Sequence, residues 1–192
     1  IGRIGKVKKR TQKTIIGNSA HLRRGTIIYA GVTIGNNFAT GHYALIREGN
    51  VIGNNVSVGS FTELGLRNKV GSGTRIHSRC FMEDVTLGKN VFVGPGVVFT
   101  NDPHPRSPEY ERCFKGATVE DGAMIGGGVT LLPHVHIGKY ALVGAGSVVA
   151  SEVPDRAVVV GNPSHKIKNI EDIICRRSER PHRPYARHAR FS

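Results

Sequence analysis

An aliphatic residue recurs every six positions through most of this 192-residue chain, and this period constrains the fold more than any other feature. The first run contains Ile16, Leu22, Ile28, Ile34, the single polar member Thr40, Ile46, Ile52, Val58, Leu64, Val70 and Ile76. One residue is then dropped, and the series resumes at Phe81, Leu87, Val93 and Phe99. After an interruption it returns at Val119, Ile125, Leu131, Ile137, Val143 and Val149. Four positions after most of these residues, the chain has a small or branched residue.

A period of six fits neither an amphipathic helix nor a long strand. It fits a strand of about four residues followed by a two-residue turn. Three such units close a triangular coil, and stacked coils lie about 4.8 Å apart, like neighbouring parallel strands. Gly and Asn are expected at the corners, where positive φ is needed. We therefore predict an all-β parallel β-helix of about seven coils, beginning near Ile16, Ile34, Ile52, Val70, Leu87, Val119 and Ile137.

Two other all-β folds are alternatives to this one. A β-sandwich would show longer strands that alternate with period two. The general rule for parallel crossovers favours right-handed coils, and the period itself does not determine handedness.

The series is interrupted once at length, by the polar, Pro-rich segment TNDPHPRSPEYERCFKGAT between Phe99 and Val119. Long insertions in regular solenoids are usually functional. The period then breaks for good in SEVPDRAVVVGNPSHKIKNI. We predict a β-helix domain over 1–155 with an inserted loop at 100–118, and a C-terminal cap and basic tail over 156–192.

The net charge of +13 is concentrated at the two ends of the chain. Residues 1–47 contain nine Lys and Arg and no acid, residues 166–192 contain eight basic and three acidic residues, and the span between them is close to neutral. This excess indicates either attraction for phosphates or a solvated edge and tail. We expect no nucleic-acid partner, because no recognised module or set of stacking aromatics accompanies the charge.

Composition also bears on the compartment. No stretch approaches the ~18 apolar residues that span a bilayer, and IGRIGKVKKR at the start has no apolar h-region. The three cysteines, Cys80, Cys113 and Cys175, form no CxxC pair. We therefore expect a cytoplasmic protein with reduced thiols and no membrane partner.

Over residues 14–170 the sequence resembles the left-handed β-helix acyltransferases with hexapeptide repeats. The motifs that carry the resemblance are the hexads, VFTNDPHPRS at 98–107, GAMIGGGVTLLPHVHIG at 122–138 and ALVGAGSVVASEVPDRAVVVGNPSHKI at 141–167. GHYALIREG at 41–49 and VFTND at 98–102 are similar to the branch that acetylates amino groups of nucleotide-linked amino sugars. The resemblance implies left-handed coils, a homotrimer with active sites between adjacent prisms, and acetyl-CoA (coenzyme A) as co-substrate without a metal.

The same resemblance implies a coenzyme site along the C-terminal coils. Backbone amides around Gly126, Gly127, Gly144 and Ala145 would hold the pantetheine arm, because small residues allow close approach. Lys166 would meet the nucleotide phosphates. This chain has Ser-His-Lys after Asn-Pro, where the family usually has Ala-Lys or Ala-Arg.

Acyl transfer passes through a tetrahedral intermediate and needs a proton acceptor and donors for the oxyanion. His104, followed by Pro105, matches the base of the maltose, galactoside and antibiotic O-acetyltransferases in the family. Asn101 matches the residue that holds the acceptor amine in the amino-sugar branch. A sugar amine with a pKa of about 8 is partly neutral already, whereas a hydroxyl needs a base. The motif therefore leaves N- and O-acylation open.

Three further residues are candidates for binding the acceptor. Asp102 either contacts the substrate or caps the turn. Arg47 and Glu48 either shape the acceptor pocket or form an ordinary exposed pair.

Two other functions use the same prism. A γ-class carbonic anhydrase needs three histidines on zinc, but His42 and His77 are about two coils apart and Met82 stands five residues beyond His77. A non-catalytic scaffold would need neither the insertion nor the Gly-Asn-Pro sequence at 161–163. We expect an acetyltransferase acting on a small-molecule acceptor, namely a nucleotide-linked amino sugar.

Overall fold

The computed structural model describes residues 13–177 and 180–185, and in these the chain winds into a parallel β-helix with three flat faces. The first face contains β1 (Ile15–Ile16), β3 (Thr33–Ile34), β6 (Val51–Ile52), β9 (Lys69–Val70), β12 (Thr86–Leu87), β15 (Thr118–Val119) and β18 (His136–Ile137). The second contains β4 (Ala39–Thr40), β7 (Ser57–Val58), β10 (Arg75–Ile76), β13 (Phe92–Val93), β16 (Met124–Ile125), β19 (Leu142–Val143), β21 (Ala157–Val160) and β22 (His165–Asn169). The third contains β2 (Ile27–Ile28), β5 (Leu45–Ile46), β8 (Glu63–Leu64), β11 (Phe81–Met82), β14 (Val98–Phe99), β17 (Thr130–Leu131) and β20 (Val148–Val149).

Successive coils pair in parallel at a regular offset. Ile15 lies opposite Thr33, 18 positions further on. The offset falls to 17 between Lys69 and Thr86, and it rises to 32 between Thr86 and Thr118, where the insertion leaves the coil. The seven strands of the first face confirm the predicted number of coils and their predicted starting points.

The dropped residue lies later than the sequence predicted. Met82 is fully buried and pairs with Leu64, so it continues the inward series six positions after Ile76. The prediction that Phe81 points into the interior is wrong, since its side chain is only half-buried. The coil shortens instead at the turn between Met82 and Leu87. Both neighbours are apolar, so hydrophobicity could not distinguish them, and pairing across the sheet decides which one points inward.

The interior consists of the aliphatic series and of a second column, four positions after it. The sequence predicts small or branched residues in the second column, but some of its members are larger or more polar. Phe38, Asn50, Asn68 and Cys80 all belong to this second column and are buried. Asn68 Nδ2 donates a hydrogen bond to Asn50 Oδ1 one coil away, at 3.0 Å. Burial raises the pKa of the Cys80 thiol, so this cysteine is a packing residue and not a reactive thiolate.

Corner residues adopt positive φ as predicted, but they are not only Gly and Asn. Asn37 and Asn55 have φ of 56° and 58°, and Tyr43 and Phe61 each have φ of 57°. The rings of Tyr43 and Phe61 stack with centroids 5.3 Å apart. Left-handed backbone costs an L-residue roughly 1–2 kcal/mol, and an aromatic pair recovers about 0.5–1.5 kcal/mol.

The stack ends differently on the second face. There β21 still pairs in parallel with β19, while β22 turns back and pairs antiparallel with β21. A 3₁₀ helix, Ile170–Asp172, follows and buries Ile170. The division at residue 155 stays a prediction, and residues 1–12, 178–179 and 186–192 of the basic ends lie outside the described residues. No helix among the described residues is long and apolar enough to cross a membrane.

Candidate functional site

The insertion is attached to the corner that joins the third face to the first, here called the insertion corner (residues 47–50, 65–68, 83–85, 100–117 and 132–135). Its two ends are held together by a hydrogen bond of 3.0 Å from Lys115 N to Asn101 O. Gly116 sits against the shortened turn, where a Cβ would lie 2.6 Å from Glu83 O. The shortened coil thus accommodates the returning end of the insertion.

The predicted catalytic residues lie in a tight turn at the start of the insertion. Asp102 Oδ1 accepts a hydrogen bond from His104 N at 2.9 Å, and Ser107 N donates to His104 O at 3.0 Å. The first contact forms a turn of the Asx type, which gives Asp102 a structural role. Neither the His104 imidazole nor the Asn101 amide forms a side-chain hydrogen bond with the described residues, and His104 is exposed. Both side chains are therefore available to a ligand.

A histidine that the sequence did not single out for this role anchors the rest of the insertion. His134 Nε2 lies 2.9 Å from Cys113 O, at the end of the short helix α1 (Tyr110–Cys113), and its backbone N–H donates to Lys115 O at 3.2 Å. The Tyr110 ring meets the Phe114 ring edge-on at 5.2 Å. Only the stacking of the next coil under the insertion brings His134 there.

Arg47 and Glu48 share the insertion corner but lie three coils before Asn101. At about 4.8 Å per coil, the two turns are about 14 Å apart along the axis. The two side chains pair at 3.3 Å while half-exposed, a contact that contributes little to stability. A hydrogen bond from its own backbone, assisted by Arg47, lowers the pKa of the Glu48 carboxyl against the opposing effect of burial. Within one chain, this pair does not meet the residues of the insertion.

The predicted coenzyme residues lie at a different corner, which joins the second face to the third and is called here the glycine corner (residues 94–97, 126–129 and 144–147). Gly126, Gly144 and Ala145 line a groove of about 210 Å³. Its other walls are the outward-facing Phe92, Met124 and Leu142, the interior-series residues Ile125 and Val143, and Tyr185 near the C-terminus.

The glycines of this corner differ in what surrounds them. A Cβ on Gly126 would lie 2.5 Å from Ala145 N in the next coil, so glycine is needed there for the coils to stack. At Gly127 the nearest atom to a Cβ is Pro95 O at 3.2 Å, and at Gly128 and Gly146 nothing lies within 4 Å. The backbone N–H groups of Gly127 and Ala145 donate no hydrogen bond within the described residues. The groove therefore has one free amide donor in its wall, at Ala145, and the glycine corner offers a second at Gly127, one coil away.

Lys166 lies on β22, opposite Val159, at the C-terminal end of the same second face. It is exposed, and the structure places it beyond the groove and not within its walls. No group of three His, Cys, Asp or Glu side chains is placed to hold a metal ion in the part of the chain that the structure describes.

The insertion and the groove are separated by the whole width of the third face. The insertion leaves coil five and contacts His134 of coil six, while the groove runs from Phe92 in coil five to Ala145 in coil seven. A single chain therefore presents the predicted catalytic residues and the predicted coenzyme groove at overlapping heights on two different corners.

Comparisons with known proteins agree with this fold. The bacterial transferase hexapeptide (six repeats) family matches residues 116–151. The galactoside O-acetyltransferase of Lactococcus lactis is 36% identical over 93 residues, which are 46% of this chain and 45% of that protein. The chain therefore spans less than half the length of the curated relatives it matches.

Two solved structures show the same architecture. A hexapeptide-repeat acetyltransferase from Vibrio cholerae, complexed with acetyl coenzyme A, has a TM-score of 0.50 at 22% identity and covers 82% of this chain and 73% of its own. AntD, an N-acyltransferase from Bacillus cereus in complex with dTDP and 3-hydroxybutyryl-CoA, has a TM-score of 0.52 at 21% identity and covers 80% and 81%. The coils have the left-handed sense of this fold. The chain thus has the fold of the hexapeptide-repeat acetyltransferases, and residues 116–151 match the model of the hexapeptide transferase family.

Proposed function

We propose that the chain is an acetyltransferase that moves an acetyl group from acetyl-CoA to the amino group of a nucleotide-linked amino sugar, working as a cytoplasmic homotrimer. The observation that carries the proposal is the glycine corner, where Ala145 lines the groove and the free amides of Gly127 and Ala145 lie one coil apart. A pantetheine arm carries two amide groups and needs donors and close backbone approach of this kind. Lys166 lies further along the same face, where it would meet the nucleotide phosphates.

A trimer would complete the site. Packing three chains in parallel about a threefold axis keeps equivalent coils at the same height, so the insertion of one chain would face the groove of the next. Neither corner alone carries both the groove and the residues for acid–base chemistry. This arrangement supports the proposal that each active site is shared between two chains.

Each residue of the insertion then has a distinct role. Asn101 would hold the acceptor amine through its free side-chain amide, and His104 would accept the proton released as the amine attacks the thioester. Asp102 keeps the His104 backbone in place through the 2.9 Å hydrogen bond. Arg47 and Glu48, three coils away, would contact a more distant part of a long acceptor.

A hydroxyl acceptor is the second candidate. Its specific support is the similarity to a galactoside O-acetyltransferase, together with the exposed His104 that such chemistry requires.

One experiment separates the two candidates. The purified protein is given acetyl-CoA with nucleotide-linked amino sugars or with galactosides, free thiol release is followed, and the product mass is determined. We expect only the amino sugars to give a product that is heavier by about 42 Da, the net gain when one acetyl group replaces a hydrogen. Acetylation of galactosides alone would establish the hydroxyl acceptor. If no thiol is released with either class of acceptor, both candidates are rejected.

A further inference from the structure

The second face carries another concavity, at its N-terminal end, which is called here the basic trough. It has a volume of about 280 Å³, and its polar walls are the side chains of Arg23, Ser57, Arg75, His77 and Ser78. It shares no residue with the glycine-corner groove. No residue predicted from the sequence as a site residue lies in it.

The trough is open because small residues separate its two charged ends. Gly41 and Gly59 occupy the coil positions between Arg23 and His77, and Ala39 and Ser57 form the floor. Arg23 and His77 are three coils apart, or about 14 Å along the axis. The side chains of Arg23 and Arg75 therefore border the trough, with only small residues on the coils between them.

The charge in this region is not neutralised. From the first coil to the fifth, the strands of the second face and the corners on both sides of it contain no Asp or Glu. Arg23 and Arg75 form no ion pair within residues 13–177 and 180–185. Ser57 and Ser78 form no side-chain hydrogen bond there either, so both hydroxyls are free to donate. Arginine with adjacent hydroxyl donors is the arrangement that phosphate oxygens prefer.

The basic trough and the groove lie in series on one face. His77, at the end of the trough, contacts Phe92, at the start of the groove, with ring centroids 5.0 Å apart. A molecule in the trough would thus be adjacent to one in the groove. We propose that the basic trough binds a phosphate or diphosphate group. That the phosphate belongs to the acceptor molecule rests on the proposed function, whereas the binding of the phosphate itself does not.

Calorimetric titration with pyrophosphate tests the anion site without any need for transfer activity. The variants are Arg75→Gln and Arg23→Gln, and the matched controls are Arg79→Gln and Arg24→Gln, which remove neighbouring charges outside the trough. Each trough variant should weaken binding about tenfold or more, the usual loss for a charge-assisted hydrogen bond, and each control by less than about threefold. Melting curves confirm that all four variants are folded. No binding of pyrophosphate, or equal losses in trough and control variants, would overturn the proposal.

Two further titrations identify the carrier. If affinity for dTDP falls in the trough variants and affinity for coenzyme A does not, the trough belongs to the acceptor. If coenzyme A loses affinity and dTDP does not, the trough binds the coenzyme diphosphate and the anion site still stands. Failure of the acetyl-transfer assay with intact pyrophosphate binding would reject the proposed function and leave the site in place.

Discussion

Loss of the Asn68 side chain should lower the free energy of unfolding substantially. It is fully buried, and all of its polar atoms are used. Its Nδ2 donates to Asn50 Oδ1 at 3.0 Å and to the carbonyls of Gly65 and Met82 at 3.2 Å, and its Oδ1 accepts from Val85 N at 2.9 Å. The last bond spans the shortened coil, so Asn68 holds together the turn on which the insertion rests.

The cost of Asn68→Ala follows from these contacts. The carbonyls of Gly65 and Met82 keep other donors, because Asn50 Nδ2 donates to the first and Gly65 N to the second. Asn50 Oδ1 and Val85 N–H lose the partner that Asn68 supplies, and both are buried. Each such group costs about 1–3 kcal/mol, so the free energy of unfolding should fall by about 2–6 kcal/mol. At about 2–4 °C per kcal/mol for a chain of this size, the melting temperature should fall by roughly 4–24 °C.

Thermal unfolding followed by circular dichroism measures this effect. The matched control is Asn54→Ala, since Asn54 is exposed and its Oδ1 accepts one hydrogen bond, from Asn36 N at 2.8 Å. This variant should lose less than about 1 kcal/mol, because water replaces the bond. A melting temperature of Asn68→Ala within 2 °C of wild type, or equal losses in both variants, would refute the reasoning from buried polar groups.

Four further outcomes are expected for the proposed enzyme. His104→Ala should lower kcat by about 10²-fold with little change in acetyl-CoA affinity, and turnover near wild type across about pH 6–9 would remove His104 from the mechanism. If Asn101 positions an amine, Asn101→Ala should be the more damaging change, and the defect of His104→Ala should shrink as pH rises and the amine becomes neutral. Gly127→Leu should abolish coenzyme A binding in calorimetry while the protein stays folded, because the nearest atoms to its Cβ belong to Pro95, at 3.2 Å or more; unchanged binding would exclude the Gly127 amide from the coenzyme site. Light scattering should give the mass of three chains, and a species of 20.7 kDa would contradict the shared site.

Much of this molecule could be predicted from the spacing of its apolar residues alone. The period of six implied three short strands per coil, and the seven coil starts from Ile16 to Ile137 are those of the first face. The insertion between Phe99 and Val119 was also apparent, because it breaks a period that otherwise persists. Such local patterns suffice because each coil contacts only its neighbours, so every repeat must satisfy the same packing requirement by itself.

Tertiary structure decided what depends on register between coils. Phe81 and Met82 are equivalent by hydrophobicity, and only pairing with Leu64 directs Met82 inward. The corner that a residue occupies depends on every shortened or lengthened coil between it and its neighbours in space. For this reason the spacing of the residues did not show that His104 and the glycines around Gly126 lie on two separate corners of one chain, which the fold decides. The basic trough has the same origin, since Arg23 and Arg75 lie far apart in the chain and border one concavity only when four coils are stacked.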